Sequence, residues 1–424
     1  MLADATYASL MKSIACGKPK DQSIIISGES GAGKTEATKV IMTYLARVTL
    51  LDHKEENGCG PMAAAGELEQ RVLNTNPMLE AFGNARTLRN DNSSRFGKFI
   101  KIQFAKTGRI VGATIEKYLL EKTRIVHQIE GERNFHIFYQ LIRGAPAELK
   151  TTLELNSTVD DYTFLSNSGS VIPHVLDSEE FALTCECMRS VGIDNGCQLN
   201  IFSLLSGILH LGNVNFVDPG TDEVGDVAED AKQAFDTAAR MLGVLPEELL
   251  TSMTKQNMHV GGSTIVKIMN HAQTLDKKAS FAKSIYSMVF NWLFDKINAT
   301  IAAKDGTCCG VIGVLDIYGF ENFESLNGFE QLLINYANEK LQNHFNKHIF
   351  QIEQAEYESE NIDWSYITFN DNQACVDLID GKLNMKSGIF QTLDDSVASG
   401  RLDVNSNFLA QLNQTWGTKE RQPN

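Results

Sequence analysis

The sequence predicts an α/β fold with a central, mostly parallel, twisted sheet and large helical insertions. Two short apolar runs carry this prediction. Residues 23–27 read SIIIS and end at a glycine, and residues 311–315 read VIGVL and end at Asp316. Short, continuous runs rich in β-branched residues are typical of buried strands in parallel sheets. After residue 115, helices are predicted to dominate as far as about residue 253.

The segments next to the first run divide into a helix and a loop. Apolar residues recur at helical spacing over residues 34–46, which predicts a helix directly after the first strand. Residues 52–66 contain Gly58, Gly60 and Pro61 and show no period. This composition predicts an exposed, mobile loop.

Two further elements have clear patterns. Residues 99–104 and 110–115 flank a Lys-Thr-Gly turn, which predicts a β-hairpin. Residues 330–358 carry apolar positions at helical spacing and mixed charge elsewhere, which predicts one long helix.

Composition excludes several classes of function. The 424 residues are 43% apolar, enough for a large core, and the net charge is -15. This charge opposes general attraction to nucleic acid or anionic lipid. The longest apolar run, residues 201–211, is too short to cross a bilayer, so no transmembrane segment is predicted. The eight scattered cysteines and the lack of a signal-peptide pattern predict reduced thiols and a cytoplasmic location.

Residues 28–35 read GESGAGKT, which matches the phosphate-loop pattern of Gly, four residues, Gly-Lys and Ser/Thr. Glycines let backbone N–H groups turn towards an anion, and the following helix adds its positive N-terminal end. Lys34 is predicted to reach the outer phosphates, and the Thr35 hydroxyl is predicted to face Mg²⁺. A phosphate loop predicts a P-loop NTPase fold but leaves kinases, transporters and motors possible.

Two more segments carry the chemistry expected beside such a loop. Residues 90–98 read NDNSSRFGK, a polar loop that can offer a second hydroxyl to Mg²⁺ and further donors to the terminal phosphate. Residues 316–321 read DIYGFE at the end of an apolar strand. Asp316 can hold Mg²⁺ through water there, and Gly319 lets a backbone N–H approach a phosphate closely.

Taken in order, these segments resemble the myosin family. GESGAGKTE, NDNSSRFGKFI and LDIYGFE are similar to its phosphate loop, first switch and second switch. LADATYASL and GERNFHIFYQL resemble flanking segments, and FEQLLINYANEKLQNHFNKHIFQIEQAEY resembles the relay helix. Kinesins share the first two motifs, but their second switch differs and they have no FEQLLINY counterpart.

The resemblance implies a role for each matching residue. Thr35 and Ser94 would ligate Mg²⁺, and Asp316 would hold it through water. Ser93 and the Gly319 N–H would position the attacking water and the terminal phosphate. The remaining catalytic residues implied are Arg95 and Glu321, which would form an ion pair when the site closes. The nucleotide-binding residues implied are Gly28, Glu29, Ser30, Gly31, Ala32, Gly33, Lys34, Thr35, Glu36 and Asn90.

The implied function is that of an actin-based, Mg-dependent ATPase motor with Mg²⁺ and ATP as cofactors. Its partner would be the actin filament, its location the cytoskeleton, and light chains or calmodulin would bind only through a neck outside this sequence. The resemblance divides the chain into residues 1–130, a mainly helical upper actin-binding part at 131–310, and residues 311–424 with the second switch and relay helix. We expect a partial motor domain, truncated at both ends and therefore impaired.

Two alternatives remain open at this stage. A non-catalytic scaffold that binds nucleotide or actin need not keep Lys34, Ser94 and Arg95 together. A small-molecule kinase would need an acceptor pocket.

Two surface features are expected near an actin contact. Residues 258–267 resemble the family's actin-touching loop, and Ser263 in it falls where myosins carry an acidic or phosphorylatable residue. A basic run nearby, Lys277, Lys278 and Lys283, is predicted to be a solvated face.

Overall fold

The chain divides into two bodies, each with its own packing. The computed structural model describes residues 1–51, 62–166, 171–217, 226–260, 263–303, 306–323, 327–362, 371–383, 386–399 and 404–417. The first body comprises Met1–Ile26 and Ser30–Tyr318, and the second comprises Ser27–Glu29 and Gly319–Asn424.

The first body contains most of the helices and strands. Its helices are α1 (Leu2–Ala15), α2 (Lys34–Leu51), α3 (Met62–Gly83), α4 (His136–Gly144), α5 (Ala147–Thr152), α6 (Asp177–Ser190), α7 (Asn195–Gly212), α8 (Lys232–Leu242), α9 (Pro246–Thr254) and α10 (His271–Ile301). Its strands are β1 (Gln22–Ile26), β2 (Asn84–Thr87), β3 (Asn90–Ser94), β4 (Gly97–Phe104), β5 (Ile110–Tyr118), β6 (Lys255–Val260), β7 (Ser263–Ile268) and β8 (Gly310–Asp316).

The second body is mainly helical where it is described. Its helices are α11 (Phe329–Asn346), α12 (Ile352–Ser359), α13 (Gln373–Ile379), α14 (Ile389–Ala398) and α15 (Val404–Trp416). Its strands β9 (Lys382–Leu383) and β10 (Lys386–Ser387) pair antiparallel. A π-helical turn, Lys347–Gln351, connects α11 to α12. The long helix predicted over residues 330–358 is confirmed as a continuous helical stretch, in which the wider π-helical turn interrupts the α-helical pattern.

The main sheet of the first body has the strand order β1-β8-β4-β5. β1 and β8 are parallel, whereas β4 is antiparallel to both β8 and β5. Both predicted strands and the predicted hairpin are confirmed, but the sheet is mixed rather than mostly parallel. The short turn after β4, with Gly108 at φ +85, allows only an antiparallel return. β1 is buried on one face only, since Ile24 is 3% exposed and Ile25 is 44% exposed.

The helix predicted after the phosphate loop is confirmed, but the loop predicted after it is only partly testable. Residues 52–61 lie outside the described residues. From Met62 onward the chain is helical, so the loop prediction is wrong for residues 62–66. Three consecutive alanines in that stretch have the highest intrinsic helix propensity, which outweighs Gly66.

Helix α10 packs one apolar face into the core of the first body. Tyr286 on this face stacks on Phe135 at 5.0 Å between ring centroids and donates a hydrogen bond to the Phe82 carbonyl at 2.7 Å. Phe82 lies in the last turn of α3, directly before the β2–β3 hairpin. The packing of α10 therefore fixes the point from which that hairpin leaves the core. Among the described residues, no helix combines the length and apolar character that a membrane span requires.

A glycine allows β5 to lie against the end of α10. A Cβ added at Gly112 would come within 2.1 Å of the Ala303 backbone nitrogen. Because a backbone atom cannot move aside as a flexible side chain can, we expect Gly112→Ala to lower the free energy of unfolding by about 1–3 kcal/mol. Urea unfolding measures this change. Gly196→Ala is the control, because the nearest atom to its Cβ would be 3.4 Å away, and an unchanged stability for both variants would contradict the prediction.

Candidate functional site

The loop between β1 and α2 has the backbone conformation that a phosphate loop requires. Gly31 and Gly33 have φ values of +83 and +84, a region that favours glycine. Both glycines and Ala32 are exposed, so a ligand can reach the loop. The Gly33 carbonyl accepts a hydrogen bond from the Ala37 N–H at 2.9 Å, which starts α2. Lys34, the first residue of α2, is only 8% exposed.

Three predicted metal-binding residues converge next to this loop. Thr35 Oγ1 lies 3.4 Å from Ser94 Oγ and 3.4 Å from Asp316 Oδ1. These residues are separated by up to 281 positions in the sequence. The main sheet brings Asp316 close to the loop, because Asp316 ends β8 directly beside Ile26, the last residue of β1, whereas Ser94 comes from β3 of the separate β2–β3 hairpin.

The chemistry of this group fits Mg²⁺. Two hydroxyls and one carboxylate are hard oxygen donors, which Mg²⁺ prefers over nitrogen and sulfur ligands. Asp316 is 2% exposed, and its Oδ2 is buried without a hydrogen-bond partner. A single carboxylate suits a cation that keeps several waters and takes its other ligands from phosphates.

Residues 90–94 form a strand rather than the loop that the sequence predicts. β3 pairs antiparallel with β2, with Asn84 opposite Ser94 and Ala85 opposite Ser93. Strand pairing here overrides the low strand propensity of Asn and Asp. Asn90, at the start of β3, lies beside the phosphate loop, since its Cβ is 4.0 Å from the position of a Cβ on Gly31.

Side chains from neighbouring elements hold the hairpin. Asn92 Oδ1 accepts a hydrogen bond from Asn84 Nδ2 at 3.0 Å and lies 3.2 Å from His136 Nε2. Burial, together with the charges of Arg133 and Arg124, lowers the pKa of His136 to about 3. The imidazole is therefore neutral at physiological pH and holds Asn92 without adding charge.

A buried ion-pair network lies behind Ser93. Arg95 is 0% exposed, its Nη1 donates to Ser93 Oγ at 3.2 Å, and its Nε donates to Glu121 Oε2 at 2.6 Å. Arg124 Nε donates to the same carboxylate oxygen at 2.7 Å. Burial by itself would raise the pKa of Glu121, but the guanidinium groups of Arg124 and Arg95 outweigh it and lower the pKa to about 2.

Comparison with known proteins identifies the family. The model of the myosin head (motor domain) family matches residues 1–423. The chain belongs to the myosin head family. It is 45% identical over 398 residues to a myosin-I heavy chain of Dictyostelium discoideum, which covers 93% of this chain and 16% of that protein. It is 44% identical over 386 residues to a Myosin-2 of Saccharomyces cerevisiae, covering 89% of this chain and 23% of that protein.

A plant relative gives the same result. A Myosin-3 of Arabidopsis thaliana is 44% identical over 376 residues, covering 88% of this chain and 31% of that protein. The chain thus spans less than a third of the length of these relatives. The predicted resemblance is confirmed.

The second body of the myosin head holds the other predicted residues. Glu321 is 1% exposed. Its backbone N–H donates to Asn335 Oδ1 at 2.8 Å, and its carbonyl accepts from Asn335 Nδ2 at 2.7 Å. The segment of Gly319 and Glu321 is therefore fastened to α11 by one side chain. Gly28 and Glu29 are exposed and also belong to this body. Arg95 belongs to the first body, so the Arg95–Glu321 pair stays a prediction.

Three residues that contact the predicted site residues were not predicted from the sequence. Glu121 holds Arg95, Asn335 holds the segment of Glu321, and Lys98 lies against Asp316. Lys98 stands within the NDNSSRFGK motif, so its place in that motif is a signal. Asn335 stands within the FEQLLINY motif, which is likewise a signal, whereas Glu121 has no local pattern that separates it from ordinary surface residues.

Proposed function

We propose that this myosin head has a P-loop NTPase fold, binds Mg-ATP at the phosphate loop and hydrolyses ATP, and that actin filaments accelerate the reaction. The convergence of Thr35, Ser94 and Asp316 beside the phosphate loop carries the proposal. These are the three residues that the resemblance assigns to Mg²⁺, and they come from three separate segments. A scaffold that bound actin without nucleotide would have no need of this arrangement, and one that bound nucleotide without hydrolysing it need not keep Arg95, Gly319 and Glu321 as well.

The residues of the loop would bind and orient the triphosphate. Backbone N–H groups of the loop and the N-terminal end of α2 would face the phosphates, together with Lys34 and Asn90. The proposed contacts along this segment are Gly28, Glu29, Ser30, Gly31, Ala32, Gly33, Lys34, Thr35 and Glu36. Bound Mg²⁺, held by Thr35 and Ser94 and through water by Asp316, would neutralise charge on the phosphates.

Hydrolysis would depend on the two switch segments. Ser93 and the Gly319 N–H would orient the attacking water and the terminal phosphate. Arg95 and Glu321 would pair when the site closes, which would couple closure to hydrolysis. Such a reaction relies on positioning and on charge stabilisation more than on covalent chemistry. The hydrogen bonds of Arg95 to Ser93 and Glu121 support a role for this arginine in fixing the first switch.

The proposed link from hydrolysis to movement is Asn335. Its two hydrogen bonds fasten the backbone of Glu321 to α11, the helix that resembles the relay helix. A shift of the Gly319 segment towards phosphate would therefore be passed to α11.

The proposed partner of this myosin head is the actin filament. Binding to it would place the protein on the cytoskeleton. The loop predicted to touch actin lies in the β6–β7 hairpin, in which residues 261–262 and the side chain of Ser263 lie outside the described residues. Phosphorylation of Ser263 stays a proposal. It would add about two negative charges to that surface.

Steady-state phosphate release with Mg-ATP, with and without actin filaments, tests the proposed function. We expect hydrolysis that requires Mg²⁺ and rises with actin concentration. A scaffold would show nucleotide or actin binding without turnover, and a small-molecule kinase would form ADP only when an acceptor is added and would transfer the phosphate to that acceptor instead of releasing it. Either result in the longest soluble protein that contains residues 1–424 would contradict the proposal.

A further inference from the structure

A buried lysine lies against the carboxylate of the proposed metal site. Lys98 in β4 is directly opposite Asp316 in β8, and the two residues are 3% and 2% exposed. Lys98 Nζ is 3.5 Å from Asp316 Oδ2 and donates to Asn76 Oδ1 at 3.4 Å. The other oxygen, Oδ1, faces Thr35. The two oxygens of one carboxylate thus face the Lys98 ammonium group and the Thr35 hydroxyl.

We infer that Lys98 is a resident counter-cation of Asp316 that lowers the affinity of the site for divalent metal. The inference rests on the proposed function. A carboxylate buried to this degree is costly unless a positive charge compensates it. Lys98 supplies that charge before metal and nucleotide bind. When the metal binds, the ammonium group stays buried beside the same carboxylate and repels the dication, so metal affinity is limited and release is favoured.

Removing Lys98 has two opposing effects on metal binding. Asp316 loses one contact that orients it, which weakens binding. However, β8 fixes its backbone and Thr35 still contacts Oδ1, so this loss is small. The second effect is the loss of repulsion between a single and a double positive charge. At an effective dielectric constant of ~20, such repulsion within one buried site changes an equilibrium constant by more than roughly tenfold. The loss of repulsion therefore dominates.

Binding of Mn²⁺ in the presence of ADP tests the inference without any turnover. Mn²⁺ replaces Mg²⁺ at oxygen sites, and electron paramagnetic resonance measures free Mn²⁺ directly. We expect Lys98→Met to bind Mn²⁺ at least about tenfold more tightly than the wild type, and Lys98→Arg to stay within about threefold. An unchanged or weaker affinity in Lys98→Met would overturn the inference.

Lys101→Met is the matched control. Lys101 lies in the same strand, its side chain points to the opposite face of the sheet, and its Nζ pairs with Glu116. We expect it to bind Mn²⁺ like the wild type, and a gain equal to that of Lys98→Met would overturn the inference. A wild type that does not bind Mn²⁺ with ADP would overturn both this inference and the proposed function. A wild type that binds while Lys98→Met does not gain affinity would overturn the inference alone.

A variant that leaves Asp316 without a counter-cation could unfold when no metal is present. In that case Lys98→Gln, whose shorter polar side chain keeps a hydrogen-bonding group, serves in the same titration. If both variants unfold, saturating Mn²⁺ and ADP should restore a cooperative thermal transition, because the metal then supplies the missing charge. Failure of this rescue, while the wild type gains stability from the same ligands, would overturn the inference.

Discussion

Lys34→Met is expected to lower the rate of ATP hydrolysis by roughly 100- to 1000-fold, the largest effect of any single change proposed for this site. Lys34 begins α2 and is 8% exposed, so its ammonium group would meet the phosphates in a region poor in water. A charge-assisted contact of this kind is stronger than a neutral hydrogen bond, and methionine keeps the length of the side chain while removing the charge.

Phosphate release at saturating Mg-ATP is the measurement for Lys34. Lys20→Met is the control, because Lys20 is exposed and precedes β1 at the end of the strand away from the phosphate loop. A Lys34→Met variant that keeps its rate within tenfold of the wild type would show that the loop does not hold the reacting phosphates.

Glu121→Gln is expected to lower the free energy of unfolding by about 3–5 kcal/mol at pH 7. The substitution removes a buried carboxylate that pairs with both Arg95 and Arg124, whereas the two guanidinium groups stay buried. Urea unfolding measures the loss. Glu116→Gln is the control, since the Glu116 side chain is 41% exposed and its ion pair with Lys101 is expected to contribute about 0–1 kcal/mol. Equal losses in the two variants would contradict the prediction.

The same carboxylate predicts a dependence of stability on pH. The pKa of Glu121 is lowered from its ordinary value of 4.5 to about 2 in the folded protein. A group with a lowered folded pKa stabilises the fold above its unfolded pKa and loses that contribution as pH falls towards its folded pKa. The stability difference between wild type and Glu121→Gln should therefore be full above about pH 5 and shrink between pH 4.5 and pH 2. A difference that stays constant over this range would contradict this assignment.

The three residues of the proposed metal site could be predicted from the sequence, because each lies in a motif whose residue types suit metal or phosphate binding. Thr35 follows a glycine-rich loop, Ser94 lies in a run of hydroxyl side chains, and Asp316 ends an apolar strand. An acidic residue that ends a strand beside the phosphate loop can lie only at the edge of the sheet where that strand ends. The contact between Thr35 and Asp316 required that β1 and β8 be neighbours, which is common for parallel strands in this class of fold, and Ser94 is brought there by the β2–β3 hairpin.

The contacts that surround the proposed metal site could not be predicted from the sequence in the same way. Lys98 reaches Asp316 because of the register between β4 and β8, and register depends on packing over whole strands. Glu121 meets Arg95 across 26 positions with no pattern joining them. Lys278, predicted on a solvated face, is 7% exposed and donates to the carbonyls of Gly212 and Val214. A local count of charges cannot tell such a lysine from its half-buried neighbours Lys277 and Lys283.

A change of metal at Thr35 tests most directly whether Thr35, Ser94 and Asp316 form the metal site. Cysteine at this position replaces a hard oxygen ligand with a soft sulfur, which binds Mg²⁺ poorly and Mn²⁺ or Cd²⁺ better. Thr38→Cys is the control, because the Thr38 hydroxyl is buried one turn later and bonds to the Lys34 carbonyl.

The measurement is the rate of ATP hydrolysis in Mg²⁺ and again in Mn²⁺ or Cd²⁺. We expect Thr35→Cys to lose at least about 100-fold of its rate in Mg²⁺ and to regain part of it in the softer metals. Thr38→Cys should depend on metal as the wild type does. A Thr35→Cys variant that hydrolyses ATP in Mg²⁺ at the wild-type rate would contradict the claim that Thr35, Ser94 and Asp316 form the metal site.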